Sequence, residues 1–236
     1  MQRIGLPFIL VTALVLIGAC GSSQERQQAQ DQPSTATNVA ATWHLGFEDV
    51  SEGDLPPGWI VTETNSAGTP ATWRVQSRTD APEGRKVLTL VATENSGSTY
   101  NLFLSKKTFP ADLKLRVDLH ANTGEEDQGG GLVWRAQDHD NYQIVRWNPL
   151  EDNLRVYKVV DGHRSQLASV ILEADPKTWH VLEVTARGDA ITIRFDGKQV
   201  LAAEDDTFRR GGRIGFWTKA DAATSFDDLT VEGGRH

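Results

Sequence analysis

The sequence predicts an all-β domain in which two antiparallel sheets pack face to face as a sandwich. Short segments of alternating apolar and polar residues recur along the chain, and each is closed by turn-forming residues. Asp161-Gly162 and Asp196-Gly197 favour tight hairpins, because glycine adopts positive φ without a Cβ penalty. No long amphipathic helix interrupts the series, so the pattern lacks the crossover helices that a parallel sheet needs.

The expected strands share this alternation and lie within one domain, which we place at residues 42–236 because the first of the seven tryptophans is Trp43. The predicted strands are 73–77, 87–92, 102–106, 113–120, 131–136, 142–148, 154–160, 164–169, 180–186, 191–196, 199–203, 213–219 and 225–231.

The first nineteen residues are typical of a bacterial lipoprotein signal peptide. Arg3 is followed by an apolar run over residues 4–17, which is too short to span a bilayer comfortably. Ile17-Gly18-Ala19-Cys20 matches a lipobox, so cleavage before Cys20 and acylation of its thiol are expected. The alternative is an ordinary cleaved signal with an incidental cysteine. Because Gly21 is not acidic, we expect the outer membrane as the destination if the host has two membranes.

Residues 20–41 predict a lipidated cysteine followed by a flexible tether. The stretch is rich in Gln, Ser, Thr and Ala and has almost no large apolar residue, so it cannot offset its ordering entropy by burial. We therefore expect a protein of the cell envelope, held to a membrane through its lipid.

Charge and cysteine content exclude several functional classes. The chain has a formal net charge of −8, which argues against nucleic acid as a partner because phosphate contacts need concentrated Lys and Arg. With one cysteine in the sequence, neither an intrachain disulfide nor a cysteine-based metal cluster is possible.

A series of motifs follows in a characteristic order in the second half of the chain. It comprises Gly130-Gly131-Leu132-Val133-Trp134-Arg135, Asp140-Asn141-Tyr142, Leu154-Arg155-Val156-Tyr157, Trp179-His180, Phe195-Asp196-Gly197-Lys198, Gly211-Gly212-Arg213-Ile214-Gly215-Phe216-Trp217 and Phe226-Asp227-Asp228-Leu229. This order resembles the concanavalin A-like lectin/glucanase superfamily. More narrowly, it is similar to the laminin-G-like jelly rolls of the 3-keto-disaccharide hydrolase domain family. The resemblance implies a jelly-roll sandwich, but this scaffold carries enzymes, lectins and plain interaction modules.

Carbohydrate binding is the first functional hypothesis, with a glycan or envelope polysaccharide as partner. Strand alternation divides the residues of the predicted strands 131–136, 142–148 and 154–160 into two groups on opposite faces of one sheet. The more apolar group of residues is expected to face the core. The other face would then be concave and meet the ligand through aromatic rings and guanidinium groups. Its candidate residues are Arg135, Tyr142, Arg146, Arg155 and Tyr157. The alternative is that these arginines are solvated or paired with local acids.

Catalysis is the second hypothesis, as a glycoside-processing hydrolase of the 3-keto-disaccharide hydrolase type. Glycoside hydrolysis generally needs two carboxyl groups across the scissile bond. The paired-carboxylate strand motif of the superfamily's glucanases is missing, and Gln143 stands where related domains carry an acid, so we expect a non-catalytic domain.

A protein-interaction or structural role at the envelope is the third hypothesis. No cofactor is expected, and calcium is the one metal that the sequence suggests, because the first and last strands of such sandwiches are often neighbours. Glu48 and Asp49 could then meet Asp227 and Asp228 and offer the oxygen ligands that calcium prefers. The alternative is that these acids sit at solvated strand ends.

Overall fold

A computed structural model describes residues 42–66 and 68–233, in which the regular elements are fifteen β-strands. The expected signal peptide, Cys20 and the tether lie outside the described residues. Within the described part, no helix has the length and apolarity needed to cross a membrane.

The strands are numbered in chain order. They are β1 (Thr42–Leu45), β2 (Trp59–Thr64), β3 (Thr72–Ser77), β4 (Lys86–Ala92), β5 (Tyr100–Ser105), β6 (Leu113–Thr123), β7 (Gly130–Ala136), β8 (Tyr142–Asn148), β9 (Asn153–Val160), β10 (His163–Ile171), β11 (His180–Arg187), β12 (Ala190–Phe195), β13 (Lys198–Glu204), β14 (Arg213–Lys219) and β15 (Ala223–Gly233).

Two antiparallel sheets contain all of these strands. The eight-stranded sheet has the order β13-β12-β11-β6-β15-β4-β3, with β1 also paired to β15, and the seven-stranded sheet has the order β10-β9-β8-β7-β14-β5-β2. Short hairpins join β7 through β10 and β11 through β13, whereas β6–β15 and β7–β14 pair segments that are distant in sequence. The expected all-β fold of two antiparallel sheets is confirmed.

Each predicted strand has an observed counterpart, and two observed strands were not predicted. The bounds of β8 and β14 match the prediction, while most others extend by one to four residues because strand pairing continues beyond the predicted stretch. The missed strands are β1, which has four residues, and β2. β1 pairs with the C-terminal end of β15, a partner that no local pattern reveals.

The core between the sheets is organised around stacked aromatic rings. Phe216 of β14 stacks on Trp59 of β2 with ring centroids 5.7 Å apart, and on Phe226 of β15 at 4.6 Å. Trp73 of β3 stacks on Phe103 of β5 at 5.6 Å. The Phe216–Phe226 and Trp73–Phe103 contacts link the two sheets, and offset stacking adds to the stabilisation from burial.

A second apolar cluster lies on the other face of the seven-stranded sheet. It contains Tyr100, Leu102, Leu104, Val133, Ala136, Tyr142, Ile144, Tyr157, Val159 and Trp217. Two diagonal corners of the sheet meet across this face: the Thr64 hydroxyl hydrogen-bonds the Tyr142 hydroxyl at 2.8 Å, and Asn65 Nδ2 donates to the carbonyl of Gly162 at 3.1 Å. The sheet therefore curls toward this side, which we call the concave face.

Candidate functional site

The concave face carries four of the five residues expected to bind a ligand. On β8, Tyr142 and Arg146 alternate with the core residues Val145 and Trp147. Register pairs Arg146 with Arg155 of β9, and Ile144 with Tyr157. Arg146, Arg155, Tyr142 and Tyr157 therefore share the face opposite the inter-sheet core.

Arg135 does not lie with them, which corrects the expected grouping. A bulge in β7 places two residues between the Val133–Gly215 and Ala136–Arg213 pairs, and Arg135 adopts φ +50° there. The extra residue reverses the alternation, so the guanidinium extends along the Gln143 side of the sheet.

The Arg135 side chain instead connects the two sheets. Its Nε donates to the carbonyl of Ala111 at 3.0 Å and its Nη2 to that of Gly188 at 2.7 Å, both in turns of the eight-stranded sheet. Asp112 and Asp189 help to line the cleft beside it, which has a volume of about 340 Å³.

Charged and amide side chains gather at one end of the concave face, and we call this group the acid–arginine cluster. Its members are Asp127, Arg146, Asn148, Glu151, Arg155 and Lys219.

Asp127 is the centre of the cluster. Its Oδ2 lies 3.0 Å from Arg146 Nη1 and 3.2 Å from Lys219 Nζ, and its Oδ1 accepts a hydrogen bond from Asn148 Nδ2 at 3.1 Å. Glu151 forms the outer side: its Oε2 lies 2.8 Å from Arg146 Nη2 and 3.0 Å from Arg155 Nη1. Asp127 and Arg146 are buried, whereas Glu151 and Arg155 reach solvent.

Asp127, Glu151 and Lys219 were missed at the sequence level as members of a site. Asp127 follows a turn that is fixed by Asp221, whose carboxylate accepts the backbone N–H groups of Glu125 and Asp127. Its partners Arg146 and Lys219 lie far along the chain, so no local spacing reveals the cluster. The available signal was chemical, because a buried arginine on a strand needs an acidic partner.

The two carboxyl groups of the cluster are shifted in opposite directions. Burial raises the pKa of Asp127, although Arg146 and Lys219 act in the other direction. Burial also disfavours ionised Glu151, but the hydrogen bond from Asn153 and the contact with Arg146 outweigh it and lower the pKa of Glu151. Relative to its ordinary behaviour, Asp127 therefore binds a proton more readily and Glu151 less readily.

Aromatic rings occupy the middle of the concave face. The Arg164 guanidinium lies 4.4 Å from the ring centroid of Tyr157, 5.0 Å from that of Tyr100 and 5.8 Å from that of Trp217. The Tyr142 hydroxyl also accepts a hydrogen bond from Trp217 Nε1 at 3.3 Å, and burial raises the pKa of Tyr142. Tyr142 is thus a fixed part of the wall, and Tyr157 already has a cation against its ring.

The four acids expected to bind calcium are not brought together. Glu48 Oε1 accepts the backbone N–H groups of Arg85 and Lys86, and Asp227 Oδ2 accepts that of Glu83. The exposed Asp49 is not part of a cluster of possible metal ligands within the described residues. Asp228 is the exception, because its ligand atom lies within 4.8 Å of those of His44 and Glu83. The first and last strands are neighbours as expected, but Asp227 is buried and holds the turn that carries Glu83, whereas the bulge that follows Asp227 in β15 turns Asp228 outward.

The described fold is similar to the folds of solved structures that include a carbohydrate-binding module and a β-glucanase. A carbohydrate-binding module, CBM66, from Bacillus subtilis superposes with a TM-score of 0.59 at 22% identity, covering 75% of this chain and 96% of that one. The cellulose-induced protein Cip1 gives a TM-score of 0.62 at 13% identity, covering 82% and 98%. A Bacillus licheniformis β-glucanase gives 0.55 at 12%, also covering 82% and 98%. These likenesses confirm the concanavalin A-like jelly roll.

Residues 47–232 match the 3-keto-alpha-glucoside-1,2-lyase-like domain, and the chain belongs to this family. The family resemblance inferred from the motifs is thus confirmed. No curated protein sequence matches this chain at a significant level.

Proposed function

We propose that the domain binds a carbohydrate, without chemical conversion, at the end of the concave face that carries the acid–arginine cluster. The single observation that carries this proposal is the row of Asp127, Arg146, Glu151 and Arg155, which is buried at one end and reaches solvent at the other. Guanidinium, amide and carboxylate groups are the planar partners that hydrogen-bond sugar hydroxyls.

The buried end of this row gives it a fixed geometry. Arg146 is held by Asp127, Glu151 and Asn153 at once, so the acceptor Glu151 is kept in place for a ligand rather than moving freely. A binding group whose rotamer is locked by its neighbours loses little entropy on binding.

The charge balance indicates a neutral saccharide. In the ion pairs of the cluster, Asp127, Glu151 and the nearby Glu126 face Arg146, Arg155 and Lys219, so the paired negative and positive groups are equal in number. A strongly charged polysaccharide would have to displace one of these pairs, whereas neutral hydroxyl groups can bond to both members of a pair. The carbohydrate-binding module among the similar structures supports this choice of ligand class.

A glycan array with the full chain carrying Cys20→Ser tests the proposal. We expect binding to neutral glycans, and at least about tenfold weaker binding for Arg155→Gln and Glu151→Gln, because each removes a solvent-reaching hydrogen-bonding group. Arg74→Gln on the eight-stranded sheet is the matched control and should bind as the parent does. Binding that is absent, or equal in all variants, would show that this end of the face is not the ligand site.

Glycoside processing is the second candidate, and the opposed pKa shifts of Asp127 and Glu151 favour it. Two carboxyl groups on either side of Arg146, one with a raised pKa and the other with a lowered pKa, can serve as acid and base. Binding is preferred because Asp127 is enclosed and both of its oxygens have partners, which leaves no path for proton delivery. Incubation with 3-keto-glucosides separates the two: release of a cleaved sugar that Asp127→Asn abolishes would establish the enzyme.

We further propose that the protein is an envelope lipoprotein anchored through Cys20. The lipobox and the polar stretch over residues 21–41 support this localisation. Incorporation of labelled palmitate into the parent but not into Cys20→Ser, together with loss of the variant from the membrane fraction, is the expected result. A variant that stays in the membrane fraction would contradict lipid anchoring.

A further inference from the structure

Three side chains from separate parts of the chain converge on one point at the edge of the eight-stranded sheet. His44 Nε2 lies 2.8 Å from Asp228 Oδ1 and 3.1 Å from Glu83 Oε2. One imidazole nitrogen carries at most one hydrogen, so it can donate a good hydrogen bond to one of these oxygens only. Glu83 Oε2 is shielded from solvent and has no hydrogen-bond partner among the described residues.

The backbone is shaped to bring the three groups together. β1 pairs with β15 so that His44 stands opposite Thr230, and the bulge in β15 turns Asp228 outward with φ +48°. The turn that carries Glu83 is fastened because Asp227 Oδ2 accepts the backbone N–H of Glu83 at 2.9 Å.

Gly46 leaves the space that the Glu83 carboxylate occupies. A Cβ at Gly46 would lie 1.9 Å from Glu83 Oε2, so any larger residue there would push the carboxylate away. The chain therefore accommodates this carboxylate beside the imidazole, where its buried oxygen lacks a donor.

We propose that His44 Nε2, Glu83 Oε2 and Asp228 Oδ1 form a binding site for a divalent transition-metal ion, with zinc as the best fit. Zinc takes nitrogen and carboxylate oxygen ligands at about 2.0–2.2 Å, which places neighbouring ligand atoms of a tetrahedral site about 3.3–3.6 Å apart. The three ligand atoms lie within 4.8 Å of one another, and the two separations from His44 Nε2, 2.8 and 3.1 Å, are shorter than this by less than about 1 Å, so small side-chain rotations would fit them around the ion. Calcium and magnesium prefer oxygen ligands, so the imidazole favours zinc over both.

The surroundings suit a cation held by three protein ligands. Arg116 Nη1 binds the other oxygen of the Asp228 carboxylate and lies 3.0 Å from Asp118, so it orients Asp228 and leaves Oδ1 directed at His44. His44 and Glu83 also line an open cleft of about 290 Å³, which leaves room for water to complete the coordination. The ion would connect the first strand, the turn before β4 and the last strand, and thus act as a structural tie.

Zinc titration of the full chain carrying Cys20→Ser tests the site, since that change removes the single thiol of the sequence. We expect one Zn²⁺ per chain by calorimetry and a rise in melting temperature on adding Zn²⁺. Glu83→Gln and Asp228→Asn should each weaken zinc binding at least about tenfold and abolish the rise, because an amide is a poor zinc ligand. Asn is suited to position 228 because it tolerates positive φ.

His163→Ala is the control, because it removes an exposed histidine from β10 and should leave zinc binding unchanged. Far-ultraviolet circular dichroism confirms that each variant is folded, and Glu83→Gln lies in a turn, where folding is least at risk. The proposal would be overturned if the parent protein does not bind zinc, or if the folded variants bind zinc as tightly as the parent. It would also be overturned if Ca²⁺ binds more tightly than Zn²⁺ and His44→Ala leaves that binding unchanged. In those cases His44 only bonds to the two acids, or it lies beside a carboxylate site without binding the ion.

Discussion

Replacing Arg146 by glutamine would leave the Asp127 carboxylate buried with Lys219 as its remaining cationic neighbour. Arg146 and Asp127 are both almost fully enclosed, with side-chain exposures of 1% and 2%. Removing one partner of a buried ion pair costs about 3–5 kcal/mol, because the other charge is left uncompensated. Lys219 Nζ, 3.2 Å from Asp127, keeps part of the compensation. We therefore expect the lower end, about 3 kcal/mol.

Urea denaturation of the folded domain measures this loss, and a melting experiment should show a fall of about 6–12 °C for a domain of this size. A double variant, Arg146→Gln with Asp127→Asn, is the matched test. It carries no lone buried carboxylate and should recover at least about 1 kcal/mol relative to the sum of the single changes. A loss below about 1 kcal/mol in Arg146→Gln, or strict additivity in the double variant, would refute the assignment of Asp127 as a buried anion that depends on Arg146.

Three further predictions concern packing, the corner contact and pH. Gly131→Ala places a Cβ 1.7 Å from the backbone oxygen of Val145 and should lower the free energy of unfolding, measured in urea, by more than about 2 kcal/mol. Gly68→Ala, which has open space around it, should change that free energy by less than about 0.5 kcal/mol, and equal effects of the two changes would contradict the close packing at Gly131. Thr64→Val removes the hydroxyl that is hydrogen-bonded to Tyr142 and His139, so it should lower the free energy of unfolding by about 1–2 kcal/mol and speed amide hydrogen exchange on β8, with Thr62→Val as the control. An unchanged exchange rate would show that this contact between the corners does not maintain the curvature of the seven-stranded sheet. Burial opposes ionisation of Asp205, but hydrogen bonds from Thr207, Lys158 and Gln143 outweigh burial and lower the pKa of Asp205, so the stabilisation by this carboxylate is present above its pKa in the unfolded chain and is lost as pH falls through its pKa in the folded protein. Asp205→Asn should therefore lose less stability than the parent protein between pH 5 and about pH 3, and an equal loss in the variant and the parent would contradict this.

The strands were largely predictable because most of them bury one face in the inter-sheet core. β8 shows this most clearly, since Val145 and Trp147 enter the core while Tyr142 and Arg146 point to the concave face. β1 could not be predicted in this way, because its four residues are half exposed and their order comes from pairing with β15 at the other end of the domain.

The candidate site was only partly predictable. The position of Arg135 was missed for a local reason, and that of Asp127 for a long-range one. Arg135 was grouped with Arg146 by counting in steps of two, but the bulge in β7 adds one residue and reverses the count. Asp127 could not be grouped with Arg146 from the sequence, because the turn before it, which Asp221 fixes, directs its carboxylate toward strands that come later in the chain. Patterns of period two carry no information about either event.

The two acidic regions of the domain differ in charge balance, and that difference separates their proposed ligands. On the concave face, Asp127, Glu126 and Glu151 have Arg146, Arg155 and Lys219 as partners, so an additional cation would be repelled as much as attracted. At the edge of the eight-stranded sheet, the carboxylates Glu83 and Asp228 have Arg116, which binds Asp228, as the one permanent cation among the described contacts. An uncompensated group of anions around an imidazole attracts a divalent ion, whereas a balanced set of paired charges offers donors and acceptors to neutral hydroxyl groups. If both proposals hold, added zinc should raise the melting temperature without changing glycan affinity, because the metal binds at the sheet edge and the saccharide on the concave face.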